Sequence, residues 1–320
     1  MSRILVVAPN WIGDALMAQP LLARLHERLA ELRLDVLAPE WVAPVMHRMP
    51  EVADVIAVPF RHGGLQLRER WRVGRSLRSR GYRQAIVLPN TWKSALVPFF
   101  ADIPLRSGYV GESRYGLLNL LYRKSDSPMM LHYARLSEPP GSEVKQPLPP
   151  PRLLANPQGV AKTKASFGIA GRYAVLCPGA EYGPAKRWPY FRELSERLKI
   201  ARVIVGSGND AEAARGVSGS NLVGKTTLDQ AIDLIAGADF AVSNDSGLMH
   251  VAAALGRPQL ALFGSSSPEH TPPLSGAARV LWLRVECSPC FQRTCPLGHF
   301  RCMRELTVDL ALKEIENLAA

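Results

Sequence analysis

The sequence lacks long hydrophobic runs. None of its 320 residues belongs to an apolar stretch near the roughly 18 residues that a transmembrane helix needs. The apolar run that begins at Ile4 is too short for the core of a secretory signal peptide, and a polar turn containing glycine follows it directly. These absences predict a protein that stays in the cytoplasm and touches a membrane at most from the outside.

Cysteine is also scarce, with five residues, of which four lie between Cys287 and Cys302. In a reducing compartment so few cysteines do not form a disulfide scaffold, so the cluster either binds a metal or carries free thiols. Common zinc modules have two Cys-x-x-Cys hooks, whereas Cys287, Cys290, Cys295 and Cys302 provide one, with His299 nearby. Both alternatives stay open, and no metal site is predicted.

Acidic residues number 28 against 39 lysines and arginines, which gives a formal net charge of +11. Such an excess is typical of proteins that bind nucleic acid, an anionic membrane surface or a polyanionic substrate. Arg68, Arg72 and Arg75 share one face of a predicted helix, although a charged helix face is usually just solvated. The breadth of the basic excess favours a phosphorylated acceptor or an anionic membrane. No nucleic-acid-binding signature accompanies the charge, so nucleic acid is not an expected partner.

Short β-rich runs alternate with helical patterns, which predicts α/β architecture with parallel sheets. The predicted strands are Ile4–Val7, Asp35–Leu37, Val55–Val58, Ala85–Leu88, Tyr173–Cys177, Val203–Val205, Phe240–Ser243 and Gln259–Phe263. The predicted helices are Asp14–Leu29, Leu65–Arg80, Thr91–Phe100, Pro189–Lys199, Thr227–Ile235, Gly247–Leu255 and Val308–Leu318. Pro189 is expected at the first helical position, and a capping box is expected from Thr227 to Gln230. Six prolines crowd into 138–152, which predicts a linker or long surface loop.

The first strand-to-helix turn, Asn10–Asp14, lacks the Gly-x-Gly-x-x-Gly fingerprint of dinucleotide-binding proteins. Gly13 permits a tight turn and a close approach to a ligand. Asp14 lies at the predicted helix start, where the helix dipole favours its ionised form. Its carboxylate therefore acts either as a general base or as a cap of the helix, and spacing alone favours the cap.

The turn Pro178–Pro189 opens the second half of the chain and places Lys186 and Arg187 just before a predicted helix. This arrangement suits a phosphate or diphosphate. The alternative is a solvated loop in which Trp188 packs against the domain. Two cations beside glycines at a strand end favour the phosphate interpretation.

The turn Ser243–His250 again joins a strand end to a helix start. Ser246 and the free N–H groups that follow it can hold a diphosphate without a metal. His250 lies four residues after Ser246, so both face the same side of the first helical turn. A histidine there is as often a core residue as a ligand, and Asp245 either binds a ribose or caps the helix.

Taken in order, these motifs resemble the lipopolysaccharide heptosyltransferases, over nearly the whole chain. The segments that carry the resemblance are Asn10–Asp14, Lys93–Leu96, Arg114–Asn119, Pro178–Pro189, Asn244–His250 and Cys287–Met303. Each segment is a moderate signal alone, but their order along the chain is specific.

The resemblance implies a GT-B glycosyltransferase with two Rossmann-like domains that face each other across a cleft. The expected domains are 1–152 for the acceptor, ending in the linker 138–152, and 153–306 for the nucleotide sugar. A C-terminal helix in 307–320 is expected to pack back on the first domain. The implied reaction is an inverting transfer of L-glycero-D-manno-heptose from ADP-heptose to the first heptose of the lipid A-linked inner core. The resemblance also implies peripheral contact with the cytoplasmic face of the inner membrane, and no cofactor.

The resemblance assigns Asp14 as the general base and Lys186 as a catalytic residue that stabilises the leaving ADP. The implied donor-binding residues are Gly13, Lys186, Thr226, Asp245, Ser246, Gly247 and His250. The implied acceptor-binding residues are Asn10, Trp11, Lys93 and Arg114. Two other functions stay open: a sugar-nucleotide epimerase of the same architecture, and a non-catalytic nucleic-acid-binding protein.

Overall fold

The computed structural model describes residues 2–61 and 63–318 of the chain. The chain divides into two compact units, Met1–Pro151 and Arg152–Ala320. Each unit contains one six-stranded sheet, and every strand pair in both sheets is parallel. The predicted α/β architecture with parallel sheets is therefore confirmed.

The sheet of the first unit has the strand order β3-β2-β1-β4-β5-β6. Its strands are β1 (Ser2–Val7), β2 (Leu32–Pro39), β3 (Asp54–Val58), β4 (Gln84–Val87), β5 (Leu105–Tyr109) and β6 (Leu120–Tyr122). Its helices are α1 (Ile12–Met17), α2 (Gln19–Arg28), α3 (Ala43–His47), α4 (Leu67–Leu77), α5 (Leu96–Phe100) and α6 (Met129–Ala134). The central strand β1 is buried from Ile4 to Val7, as expected for a strand covered on both faces.

The sheet of the second unit has the order β12-β11-β10-β7-β8-β9. Its strands are β7 (Tyr173–Cys177), β8 (Ala201–Ile204), β9 (Ser220–Asn221), β10 (Phe240–Asn244), β11 (Gln259–Phe263) and β12 (Ala278–Trp282). Its helices are α7 (Pro157–Ser166), α8 (Phe191–Arg197), α9 (Leu228–Ala236), α10 (Gly247–Ala254), α11 (Arg301–Arg304) and α12 (Val308–Glu316). β7 and β11 are buried along their whole length.

Three helix predictions are wrong in detail. The predicted helix Thr91–Phe100 is a 3-10 turn, Trp92–Ala95, followed by the short α5. The predicted helix Asp14–Leu29 is two helices, α1 and α2, which meet at Ala18. Pro20 lies in the first turn of α2, and a proline lacks the N–H that would continue α1. Pro189 does not begin α8: the helix starts at Phe191, with Tyr190 as its N-cap residue.

Two further predictions concern the start of α9 and the proline-rich segment. The capping box at the start of α9 is confirmed, since Thr227 and Gln230 exchange side-chain-to-backbone hydrogen bonds of 2.9 and 3.2 Å. The proline-rich residues 138–152 contain no helix or strand. Arg24 of α2 donates to the carbonyl of Lys145 at 2.8 Å, which ties this segment to the first unit.

The apolar face of α12 packs in the core of the second unit. Val308, Ala311 and Ile315 join the cluster that contains Trp188 and Phe191. The expectation that this helix returns to the first domain stays a prediction. Within residues 2–61 and 63–318, no helix combines the length and the apolarity needed to cross a membrane.

Candidate active site

The polar loops of the second unit follow three neighbouring strands. β11, β10 and β7 are adjacent in the sheet, and their carboxyl ends lead into the segments 264–267, 245–247 and 178–189. In open parallel sheets, ligands bind outside the carboxyl ends of the strands. Two of the three predicted motif turns therefore lie side by side at the edge where a ligand is expected.

Lys186 and Asp245 form an ion pair at this edge. A single 3-10 turn, Pro184–Lys186, directs the lysine so that its Nζ lies 2.5 Å from Oδ2 of Asp245. The hydroxyl of Ser266 donates to the same oxygen at 2.5 Å. The Lys186 side chain is 16% exposed and that of Asp245 is 5% exposed, so both partners are largely buried. The pair thus fixes the position of the Lys186 ammonium group at the strand ends.

The ring of Tyr182 supports the same cation. The Nζ of Lys186 lies 4.9 Å from the ring centroid, within the range of a cation–π interaction. The Tyr182 hydroxyl in turn donates to the carbonyl of Phe291 at 2.6 Å. Lys186 is therefore held by a carboxylate on one element and by an aromatic face on another.

Asn244, the last residue of β10, connects the two motif turns. Its amide Nδ2 donates to the carbonyl of Pro178 at 2.7 Å, and its Oδ1 accepts the backbone N–H of Trp188 at 3.1 Å. The side chain is fully buried. Asn244 therefore fixes both ends of the loop that carries Lys186.

The N-terminus of α10 lies beside this pair. Ser246 is the N-cap residue, but its side chain makes no capping hydrogen bond to the helix; its hydroxyl lies 3.1 Å from that of Ser243. The N–H groups of the first turn, beginning at Gly247, therefore keep no side-chain cap. Uncapped helical N–H groups next to a lysine form a site for an anion such as a phosphate.

His250 is buried behind the anion site. The pKa of His250 is lowered to about 4, mainly by burial; the negative charge of Asp245 opposes the shift, and the positive charge of Lys186 contributes to it. The imidazole is therefore neutral near neutral pH. The predicted donor residues Lys186, Asp245, Ser246, Gly247 and His250 are thus gathered in one place.

Thr226 lies apart from that group in the sheet order. It follows β9, and β7 and β8 separate β9 from β10. Thr226 is half-buried and directly precedes Thr227, the N-cap of α9. A ligand that contacted both Thr226 and Lys186 would span the strand ends from β9 to β7.

Sequence reasoning missed several residues of this edge. The sequence pattern does not indicate a role for Ser266, Tyr182 or Asn244. Asp210, after β8, was also missed: its carboxylate lies so close to Gly179 that a Cβ there would come within 2.2 Å of Oδ1. The signal for Ser266 is the run of three serines that begins one residue after the buried strand β11.

The first unit contains a cavity of about 160 Å³ at the carboxyl ends of its own strands. Asn10 and Lys93 both line it, as do Arg61 and Arg70. Arg70 is buried, donates to the carbonyls of Leu65 and Lys93, and lies 4.1 Å over the ring of Phe60. Burial lowers the pKa of this guanidinium. Both basic and apolar side chains therefore line the cavity.

Asp14 is the third residue of α1, in the first turn of the helix. The N-cap position belongs to Trp11, so Asp14 is not the N-cap. Burial raises the pKa of Tyr133, and the negative charge of Asp14 raises it further, which places the carboxylate near that phenol. Gly13 and Asp14 are half-buried, whereas Trp11 is 48% exposed.

Arg114 is almost completely buried in the first unit. Its side chain is buried, and its guanidinium donates to the carbonyls of Pro89 and Tyr109 and to the amide oxygen of Asn90. Burial lowers its pKa. The expectation that Arg114 contacts the acceptor stays a prediction; in the structure its side chain holds the loop after β4.

The cysteine segment packs against the loop that carries Lys186. Four cysteines and His299 surround a void of about 20 Å³ that Ala185 also lines. The carbonyl of Arg293 accepts the N–H of Ala185 at 3.0 Å. Each of the five cysteines lies in the described part of the chain and is a free thiol. Among the residues that the structure describes, no set of three or more His, Cys, Asp or Glu side chains is arranged to hold a metal ion.

Comparison with known proteins agrees with the geometry. The model of glycosyltransferase family 9 (heptosyltransferase) matches residues 70–301. The chain is 41% identical to lipopolysaccharide heptosyltransferase 2 of Escherichia coli, covering 99% of this chain and 98% of that protein. It is 43% identical to lipooligosaccharide heptosyltransferase 2 of Haemophilus ducreyi, covering 99% of each.

A solved structure supports the same conclusion. The structure of E. coli ADP-heptose LPS heptosyltransferase II superposes with a TM-score of 0.88 at 39% identity, covering 99% of this chain and 98% of that one. The GT-B class with two Rossmann-like domains is thereby confirmed, as is the resemblance that the motifs indicated. The chain is a glycosyltransferase, and it belongs to glycosyltransferase family 9, the heptosyltransferases.

Proposed function

We propose that the chain transfers L-glycero-D-manno-heptose from ADP-heptose to the first heptose of the lipid A-linked inner core, with inversion at the anomeric carbon. The observation that carries the proposal is the fixed Lys186–Asp245 pair beside the uncapped N-terminus of α10. Relatives of this length and identity are named heptosyltransferase 2, and a solved relative is named for ADP-heptose.

The donor binds to the second unit in this proposal. The diphosphate of ADP-heptose lies against Lys186 and the N–H groups that follow Ser246, because both favour negative charge. Thr226 contacts the adenosine end, and Asp245 and His250 shape the pocket around the diphosphate. As the bond between the anomeric carbon and the phosphate oxygen breaks, its electron pair moves to ADP, and Lys186 stabilises the growing charge.

The acceptor binds to the first unit, in the cavity lined by Asn10 and Lys93, with Trp11 exposed nearby. The acceptor hydroxyl forms the new bond to the anomeric carbon, and its proton passes to the carboxylate of Asp14. The transition state is oxocarbenium-like, as in glycoside hydrolysis. Gly13, the second residue of α1, contacts the donor, and Arg114 acts by holding the loop of Pro89 and Asn90.

The protein acts in the cytoplasm at the inner membrane in this proposal, since its acceptor is anchored there. We propose neither a cofactor nor a nucleic-acid partner. The epimerase alternative differs in one observable respect, because an epimerase releases its product without any lipid acceptor. The nucleic-acid alternative predicts salt-sensitive binding to oligonucleotides and no affinity for ADP.

The experiment is the release of ADP from ADP-heptose, measured with and without an inner-core acceptor that carries one heptose. Release that depends on the acceptor supports the transferase. Release without the acceptor would indicate hydrolysis or epimerase-like chemistry. If folded protein released no ADP under either condition, the assignments of both donor and acceptor would be contradicted. In the same assay Asp14→Asn should lower kcat by about 10²-fold or more; turnover within a few-fold of the original would remove Asp14 from the base role.

A further inference from the structure

The helix α4 has an unusual outer face. Leu67, Trp71 and Arg75 follow each other at four-residue spacing, and Arg68 and Arg72 flank them. All five side chains are exposed, Leu67 by 49% and Trp71 by 53%. We call these five residues the α4 outer face. It combines two large apolar groups with three positive charges.

The opposite face of α4 is fixed to the body of the first unit. Arg70, Gly74 and Leu77 are its buried residues. Gly74 packs so closely on α5 that a Cβ would lie 2.5 Å from the Cβ of Phe100. The helix therefore cannot turn its exposed tryptophan inward, and the outer face is a fixed surface of the fold.

The charges of this face have one sign. Within the described ranges, none of Arg68, Arg72 and Arg75 forms an ion pair. Glu69, the acidic residue of the helix, is half-buried. By contrast, Arg78, just beyond the helix, pairs with Asp102 at 2.7 Å. The arginines of the outer face thus remain available to an external anion.

Exposed aromatic rings on and near α4 lie beside arginines. The guanidinium of Arg75 is 5.8 Å from the ring centroid of Trp71. On the neighbouring helix α5, Phe99 is 41% exposed and lies 5.6 Å from the guanidinium of Arg106. Tryptophan and arginine side chains at the same depth are typical of helices that lie at the boundary between the lipid headgroups and the acyl chains.

We propose that the α4 outer face docks the protein on an anionic lipid bilayer. The arginines contact lipid phosphates, while Trp71 and Leu67 insert at the acyl boundary. Charge complementarity identifies the partner as anionic, and the exposed leucine identifies it as one with an apolar layer. Nucleic acid offers phosphates and stacking bases but no aliphatic layer for Leu67, so the bilayer fits the whole face.

The test is flotation of the full-length protein with vesicles of phosphatidylcholine, with and without phosphatidylglycerol. We expect binding to the anionic vesicles, weakened by salt because exposed charges are screened. Replacement of Arg68, Arg72 and Arg75 by Gln should reduce partitioning by about tenfold or more. Trp71→Phe should remove most of the quenching of tryptophan fluorescence by brominated lipids.

The matched control replaces Arg192, Arg215 and Arg279 of the second unit by Gln. These arginines are also exposed, and the change in net charge is the same. The control should bind anionic vesicles like the original protein. Equal loss in both triple variants would overturn the assignment to α4, as would a failure of the original protein to distinguish the two kinds of vesicle. Equal or stronger competition by a single-stranded oligonucleotide would favour the nucleic-acid partner instead.

Docking and catalysis can fail separately in these experiments. The arginine triple variant should keep its ADP release with a short, detergent-free acceptor, because the α4 outer face does not line the cavity of Asn10 and Lys93. Loss of vesicle binding with intact release would locate the defect in docking. If the original protein bound anionic vesicles but released no ADP, the docking surface would be supported and the proposed reaction contradicted.

Discussion

Lys186 and Asp245 are 59 positions apart in the chain, yet the Nζ of the lysine lies 2.5 Å from a carboxylate oxygen of the aspartate. The two residues belong to loops after β7 and β10, which are hydrogen-bonded neighbours in one parallel sheet. Sheet topology thus assembles a charge pair from two motifs that are distant in sequence. Substitution of Lys186 therefore tests the proposed role of this pair in donor chemistry.

Replacing Lys186 by Met should lower kcat/KM for ADP-heptose by about 10²- to 10³-fold, the usual cost of removing one group that stabilises developing charge. It also leaves Asp245 with the Ser266 hydroxyl but without its cation. Steady-state kinetics of ADP release measure the effect. Lys199→Met, at an exposed lysine, is the control and should act like the original; a similar small loss in both variants would contradict the assignment.

Asn244→Asp should disturb the position of Lys186 without touching substrate. A carboxylate still accepts the N–H of Trp188, but its second oxygen faces the carbonyl of Pro178, where Nδ2 now donates. We expect a loss of about 1–3 kcal/mol in the free energy of unfolding. We also expect a lower kcat, because the loop that carries Lys186 shifts.

The control for this change is Asn221→Asp at the end of β9. Asn221 is exposed, and its side-chain oxygen accepts the N–H of Val223 at 3.1 Å, a bond that aspartate preserves. Stability and kcat should stay close to the original. If Asn244→Asp behaved like this control in urea denaturation and in turnover, Asn244 would have no role in holding the loop.

The sequence predicts the architecture because buried parallel strands such as Tyr173–Cys177 are continuous apolar runs. It misses β5, β6, β9 and β12, which are short or lie toward the sheet edges. Leu105–Tyr109 contains arginine, serine and glycine, so it lacks the apolar pattern of a strand. The sequence also gives no prediction for the helices α3, α6, α7 and α11.

The candidate site was partly predictable for a related reason. Lys186, Asp245 and Ser246 stand at strand-to-helix turns, where parallel topology places ligands. Ser266 was not predictable, since a serine after a strand is common and its partner is 21 positions away. The burial of Arg114 was not predictable either, because arginine is usually exposed and only the fold brings three oxygen acceptors around it.

The buried His250 should make stability depend on pH. Its folded-state pKa is lowered to about 4, mainly by burial, whereas the unfolded chain titrates near 6.5. Between these values the unfolded state binds the proton and the folded state does not, so stability falls as pH drops from about 6.5 to about 4, by roughly 3 kcal/mol. Urea denaturation across this range should show a flatter profile for His250→Gln, and parallel profiles would contradict the account.

The thiols should differ in reactivity. Burial works against ionisation of Cys295, but backbone N–H groups from residues 297–300 outweigh it and lower the pKa of that thiol. Burial raises the pKa of Cys177 to about 12 and that of Cys302 to about 11. Alkylation of the folded protein at about pH 8, followed by peptide mass mapping, should modify Cys295 before Cys177 and Cys302. Earlier modification of Cys177 would contradict the packing described for β7.

The most direct measurement is the mass of the acceptor after incubation with ADP-heptose and the full-length protein. The account predicts that an inner-core acceptor with one heptose gains a second, and that Lys186→Met forms this product far more slowly under the same conditions. An unchanged acceptor mass in the presence of folded protein and consumed ADP-heptose would contradict the proposed transfer.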